Sequence, residues 1–360
     1  MSKNPVIWEP DVARIRGSAM FRFMQQHNHE SYASLHQWSI DEAPQFWSSV
    51  RKFCDIQLDR PADRILARPD NIMDAGWFEG AQLNFAAHLL RHTGSDTAIV
   101  FCGEDGTRQE LSRDDLRALV ASVAAALRAR GIVKGDRVAG YLPNCPEAII
   151  AMLATTSIGA VWSSCSPDFG PNGVADRFGQ IEPKVLFATN AYFYNGKTCD
   201  TRETVASVAR AISSLVQTVV IPFIAESPAD TGIDNAILWH DFLVDDAPLE
   251  FAALDFNHPL YIMYSSGTTG VPKCIVHGHG GTLLQQSKEH VLHTGVSEGD
   301  KLFYFTTCGW MMLNWLVCGL GTGATLILFD GAPFYRDGRI LWEIAEREGI
   351  SIFGTSAKYI

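Results

Sequence analysis

Residues 265–273 read Ser265-Ser266-Gly267-Thr268-Thr269-Gly270-Val271-Pro272-Lys273. Ahead of them, Leu260-Tyr261-Ile262-Met263-Tyr264 is an apolar and aromatic run that reads as a buried strand. Behind them, Cys274-Ile275-Val276-His277 reads as a second short strand. Glycine permits φ > 0 and close backbone approach, so successive amide N–H groups can converge on one anion. Two serines and two threonines add hydroxyl donors, Lys273 adds a compact positive charge, and Pro272 stiffens the exit. That inventory suits a triphosphate. The plain alternative is a Ser/Gly-rich hairpin turn with a solvated lysine.

The stretch differs from the common P-loop, G-x-x-x-x-G-K-[ST], which leads into a helix. Here a strand follows, so Lys273 is expected outside any helix. A second candidate, Gly196-Lys197-Thr198, follows the expected strand 184–189. The first glycine of a P-loop would fall at position 191, which is Ala191, and Tyr192, Phe193 and Tyr194 are too bulky for an amide cradle. It is rejected as a nucleotide loop.

Outward from the loop, strands and helices alternate from about Thr97. Ser112 with Asp115 forms a capping-box-like start, and Leu116, Leu119, Val120, Val123 and Leu127 mark one helix face before Gly131. Strand 137–142 follows, and Pro146 opens the next helix. Strands are expected at 161–164, 185–189 and 218–223, with a helix near 201–215. The second half continues with helix 281–293, strand 302–306, a helix from about Trp310, a strand ending at Phe329, helix 338–348 and strand 351–354. Alternation of this length predicts an α/β fold with parallel sheets flanked by helices. Residues 355–360 read as the start of one more helix. The first 96 residues are different: rich in aromatics, irregular and punctuated by Pro44, Pro61 and Pro69. They read as a wrapping segment of short helices, which divides the chain into 1–96 and 97–360.

The 360 residues, 47% hydrophobic, suffice for more than one layered core. A net charge of −11 speaks against a nucleic-acid partner, because phosphate backbones select basic faces. The eight cysteines are scattered, with no C-x-x-C pair and no zinc spacing. No metal ligand is assigned from the sequence. The N-terminus shows no secretory signal, so reduced thiols in a cytoplasmic setting are expected. The most apolar stretch, 311–329, holds Asn314 and three glycines near its middle. It reads as a buried helix breaking into a strand, not a membrane span.

With the loop read, the chain resembles the adenylate-forming superfamily of acyl-CoA synthetases, peptide-synthetase adenylation domains and luciferases. Residues 265–273 match its phosphate-loop signature throughout. Trp77-Phe78-Glu79-Gly80-Ala81-Gln82-Leu83-Asn84 is similar to the N-terminal segment of the acetyl-CoA-synthetase-like branch. Within that branch, Thr306-Thr307-Cys308-Gly309-Trp310-Met311-Met312-Leu313-Asn314-Trp315 resembles the acetoacetate-activating members, as do Tyr194-Asn195-Gly196-Lys197 and the run 353–360.

The resemblance implies the large N-terminal domain of such an enzyme and a two-step reaction. A carboxylate, here acetoacetate, attacks the α-phosphate of ATP; the CoA thiol then attacks the acyl-adenylate. It implies that Ser265, Ser266, Gly267, Thr268, Thr269, Gly270 and Lys273 bind the ATP phosphates, with Lys273 and Thr268 acting in catalysis and Mg²⁺ sharing the charge. Trp310, Met311 and Met312 are placed in the acyl pocket, although composition alone reads both methionines as core. Lys197 falls where the branch carries an arginine near the CoA phosphates, while Tyr194 departs from a second arginine; a solvated loop lysine is the rival. His277 reads either as a neighbour of the nucleotide or as a core histidine. Family members continue beyond residue 360 with a metal carboxylate, a ribose aspartate, a hinge and the adenylating lysine. The chain is therefore expected to be an N-terminal part, with the C-terminal part missing and no turnover on its own. Two rivals stand: a synthetase for acetate, propionate or butyrate, and a truncated nucleotide-binding protein without catalysis. The oligomeric state is left open.

Overall fold

The computed structural model describes residues 8–223, 233, 235–265 and 270–360. Two sheets form its frame. The larger has, in spatial order, Ala236–Leu238, Gln217–Ile221, Val185–Thr189, Arg137–Tyr141, Val161–Cys165, Pro259–Ser265 and Lys273–Gly278. Its neighbours pair in parallel except the last two, which form an antiparallel hairpin. The second runs Ile352–Gly354, Lys301–Tyr304, Thr325–Asp330, Thr97–Gly103 and Arg108–Ser112, parallel except for its last pair.

The strands read as continuous apolar runs because helices cover them. Val185–Thr189 is buried along its whole length. Helix Pro146–Ser157 is apolar all round and buried at nearly every position, the signature of a helix inside a core. Pro146 occupies its first turn, where a missing N–H costs nothing. Helix Arg113–Ala129 packs beside it and begins with a complete capping box between Ser112 and Asp115. One core runs through both sheets, from Ile99, Leu302 and Leu326 to Val138, Trp162 and Phe187.

The aromatic-rich start forms helices Val12–Gly17, Ala19–Gln26, Tyr32–Asp41 and Ala43–Phe53. Phe23 lies edge-on to Phe46 at 6.0 Å and to Phe53 at 5.2 Å, a geometry that matches ring edge to ring face. Phe23, Leu35, Phe46 and Val50 are continuous with the main core. Asn84 ties this region down. Its amide donates to Ser157 O at 2.9 Å and Ala252 O at 3.0 Å, while its oxygen caps helix Phe85–Leu89 at Ala87 N.

Stretch 311–329 resolves into helix Met311–Cys318, a short 3₁₀ turn Gly319–Thr322 and the start of strand Thr325–Asp330. Gly323, at φ +83°, makes the break. No helix among the described residues is long and apolar enough to cross a membrane.

Two expectations are corrected. The strand before the loop is not buried throughout: Leu260 and Tyr261 are, but Ile262, Met263 and Tyr264 are half-buried. Beyond Ser163 the strand loses its parallel partner, and only the exposed edge strand Lys273–Gly278 continues beside it. Residues 357–359 form a turn rather than the first turn of a helix. Tyr359 N–H donates to Ser356 O, and its hydroxyl donates to Gly338 O at 2.5 Å, which turns the chain back on itself.

Candidate active site

In parallel sheets, ligands bind beyond the carboxyl ends of the strands. Both sheets deliver segments there: 166–170 and the hairpin Pro259–Ser265/Lys273–Gly278 from the larger sheet, 305–310 and 331–339 from the smaller. The strand feeding the hairpin runs parallel to Val161–Cys165, pairing Tyr261 with Trp162.

Ser265 and Lys273 face each other as the last pair of the hairpin, so the loop springs from a closed mouth. Lys273 opens the second strand and is exposed. Gly270 has φ +99° and no atom near a hypothetical Cβ, so its requirement is backbone conformation rather than space. Ser266, Gly267, Thr268 and Thr269 lie outside the described residues.

Helix Pro171–Ile181 holds both arms of this mouth. On one arm, Tyr264 O–H donates to Arg177 O at 3.3 Å and accepts from Ser163 Oγ at 3.0 Å. The Arg177 guanidinium lies 4.5 Å from the Phe169 ring centre and 5.7 Å from that of Tyr264. Burial pushes the Tyr264 phenol up, so it stays protonated as a donor. On the other arm, Gln180 Nε2 donates to Pro272 O at 2.9 Å, and the Cys274 thiol donates to Gln180 Oε1 at 3.7 Å. Gln180 thus grips the residues on either side of Lys273. Nothing in the local sequence of Gln180 signals this, because its partners lie more than ninety residues away.

Trp310 is the N-cap of helix Met311–Cys318 and is 66% exposed. The turn leading into it rests on the larger sheet, where Ser164 Oγ donates to Cys308 O at 2.6 Å. Met311 and Met312 line an open groove of about 610 Å³ with His277, Thr282, Gln286 and Trp315; Trp310 is not in that lining. His277 is therefore beside the two methionines, on the hairpin strand that Lys273 begins. Its ring packs 5.3 Å from that of Tyr261, and burial lowers its pKa, which favours the neutral imidazole.

Lys197 sits apart from the groove, on the hairpin Ala191–Tyr194/Lys197–Asp200. Asn195 and Gly196 turn this hairpin at φ +53° and +74°, the left-handed pair that an Asn-Gly turn supplies. The buried carboxylate of Glu104 grips the turn. It accepts from Asn195 N–H at 2.8 Å, from Gly196 N–H, and from Ala332 N–H at 2.6 Å. A small cavity of about 90 Å³ lies nearby, lined by Phe101, Phe193, Phe223, Glu147 and Asp330. Burial pushes the Asp330 carboxyl up to about 7 and raises that of Glu147. Neither acid stands out in the sequence, since each sits inside an apolar run.

Comparison with known proteins agrees with this geometry. The family described as AMP-binding enzyme matches residues 85–358, and that described as acetyl-coenzyme A synthetase N-terminus matches residues 32–89. An acetoacetyl-coenzyme A synthetase of Rhizobium meliloti (strain 1021) is 48% identical over 369 residues, covering 100% of this chain and 56% of the relative. An acetoacetyl-CoA synthetase of Danio rerio is 43% identical over 373 residues, covering 99% and 55%. The solved acetoacetyl-CoA synthetase from Streptomyces lividans superposes with a TM-score of 0.92 at 42% identity, covering 98% of this chain and 55% of that one. The chain spans about half the length of the curated relatives it matches. An antiparallel hairpin at the carboxyl edge of a parallel sheet, and a family match over residues 85–358, lead to one conclusion: the chain belongs to the AMP-binding enzyme family.

Proposed function

We propose that the protein carrying this chain ligates acetoacetate to CoA with ATP, through an acyl-adenylate, releasing AMP and pyrophosphate. The observation that carries the reading is the hairpin mouth, with Lys273 paired to Ser265 and braced on both arms by one helix. The relatives named acetoacetyl-CoA synthetase, and a groove lined by Met311, Met312 and His277 at the far end of the strand that Lys273 begins, support acetoacetate as the substrate. In this reading Ser265, Ser266, Gly267, Thr268, Thr269, Gly270 and Lys273 hold the β- and γ-phosphates. Lys273 and Thr268 stabilise charge on the leaving pyrophosphate. Met311 and Met312 shape the acyl groove, and Trp310 stands exposed at its helix start. Lys197 meets a CoA phosphate from its own hairpin.

Mg²⁺ is proposed as part of the nucleotide substrate. No cluster of three or more His, Cys, Asp or Glu suited to a metal occurs among the described residues. This ion keeps several waters and binds largely through substrate phosphates, so a dedicated protein cage is not required. A cytoplasmic setting and a division into a wrapping segment, 1–96, and a nucleotide-binding part, 97–360, belong to the same proposal.

The test is pyrophosphate release by the protein across acetate, propionate, butyrate and acetoacetate, each with ATP, Mg²⁺ and CoA. Acetoacetate is expected to give the highest kcat/KM. A preference for acetate would move the assignment to a different short-chain acid, and no release with any acid would leave a nucleotide-binding protein.

Gln180 gives a second, smaller test. Each hydrogen bond it makes is worth about 0.5–1.5 kcal/mol. Gln180→Ala is expected to raise KM for ATP by about threefold to tenfold while KM for the acid stays put. Equal rises in both constants would mean that Gln180 supports the fold and not the loop.

A further inference from the structure

Gln286 lies on helix His279–Lys288 and is 6% exposed, yet its side chain borders the groove shared by Met311, Met312 and Trp315. Its amide makes one hydrogen bond, from Nε2 to the Tyr261 hydroxyl at 3.3 Å. Oε1 is buried and has no partner among the described residues. Which end of an amide is oxygen is decided by its partners. Turned over, Oε1 accepts from the Tyr261 O–H, and Nε2 is left with its donors unmatched. In either orientation one polar end of a buried amide goes unpaired. Tyr261 cannot move to relieve this, since it is 1% exposed and its strand is paired on both sides.

Buried polar groups are matched as a rule, and each exception calls for a reason. Here the residue that carries the unmatched amide lines a groove whose other walls include two methionines and an indole. An acyl chain fits such walls along its carbons. A chain that also carries a hydrogen-bond acceptor a few bonds from the carboxylate supplies the missing partner. A saturated chain of equal length leaves the amide unmatched.

We propose that Gln286 is a specificity-determining residue of the acyl groove, donating from Nε2 to the carbonyl oxygen of a 3-oxo acid while Tyr261 O–H holds Oε1. The assignment rests on the acetoacetate reading proposed above and deepens it by naming the residue that recognises the 3-oxo oxygen. A site built to hydrogen-bond a substrate group rejects the analogue that lacks it far more strongly than an apolar pocket rejects a change of one methylene.

The experiment compares acetoacetate with butyrate, which has the same carbon count without the 3-oxo oxygen, in the wild-type protein and in Gln286→Met. The ratio of kcat/KM for the two acids is expected to fall at least tenfold in the variant. Tyr261→Phe, which frees the amide without removing it, is expected to move the ratio the same way by less, and it keeps the question answerable if Gln286→Met fails to fold. A ratio unchanged in both variants, or equal losses for both acids, overturns the role of Gln286 while leaving acetoacetate activation standing. A wild-type preference for butyrate removes the acetoacetate reading, and the Gln286 assignment with it.

Discussion

Lys273→Ala is expected to lower kcat/KM for ATP in the proposed adenylation by about 10²- to 10³-fold while leaving the fold intact. Removing one preorganised charge or donor aimed at a developing anion costs about 2.7–4 kcal/mol of transition-state stabilisation. Lys273 is suited to that role by position. It is the first residue of its strand, opposite Ser265, so its backbone is fixed by the hairpin while its side chain is exposed. Among the described residues its ammonium makes no ion pair or hydrogen bond, and the residue is exposed. Stability is therefore expected to change by less than about 0.5 kcal/mol, as for ordinary surface substitutions. Lys273→Arg should rescue poorly, because a planar fork is not a compact ammonium. The measurements are pyrophosphate release at varied ATP and the thermal midpoint without ligand. Wild-type rates in Lys273→Ala, with the midpoint unchanged, would remove the lysine from the reaction.

The strands flanking the loop, the alternation and the caps were legible because each is written locally. Ser112 and Asp115 sit three residues apart and form the capping box that their spacing predicts. Pro146 starts its helix. What escaped the sequence is what depends on distant partners. Gln180 acts through Pro272 and Cys274, Glu104 through Asn195, Gly196 and Ala332. In sequence each is an ordinary polar residue, and only the crossover of the sheets brings them to their targets. The groove shows the same division. Met311 and Met312 could be placed through resemblance, but Gln286 joins them only because helix His279–Lys288 packs beside helix Met311–Cys318. The excess burial expected for residues 262–264 has a similar origin: an apolar run reports what could be covered, not whether a neighbour arrives.

Mild acid is expected to unfold the protein steeply, starting below about pH 6.5. Three histidines are held neutral most strongly by the fold. His279 is fully buried and pushed down to about 3, mainly by burial, with His258 and Lys134 adding to the effect. Its Nδ1 accepts the Phe85 N–H at 3.3 Å, which assigns the proton to Nε2. His290 is fully buried and pushed down to about 4 by burial, although the Trp315 carbonyl, 2.7 Å from Nε2, opposes the shift. His88 is pushed down to about 3 by burial, then by Arg91 and His92. In the unfolded chain all three take up protons near pH 6.5, so their contribution is complete above that pH and is lost as pH falls toward 4. Asp330 works in the opposite direction. Its folded carboxyl, raised to about 7, is protonated before the unfolded one, so it adds stability as pH falls from about 7 toward 4. Among these four groups, three protons favour the unfolded state and one favours the folded state; the downward shifts of His27, His92, His277 and His293 add to the loss, and the upward shift of Glu147 opposes it. The net of about two gives a loss of about 3 kcal/mol per pH unit, against a total of roughly 5–15 kcal/mol for a typical domain. Urea midpoints between about pH 6 and 4.5 check the slope. Asp330→Asn, which removes the opposing group, should steepen it by about 1.4 kcal/mol per unit, and His290→Gln should flatten it by the same amount. A midpoint that holds level across this range would mean that these imidazoles reach solvent without unfolding.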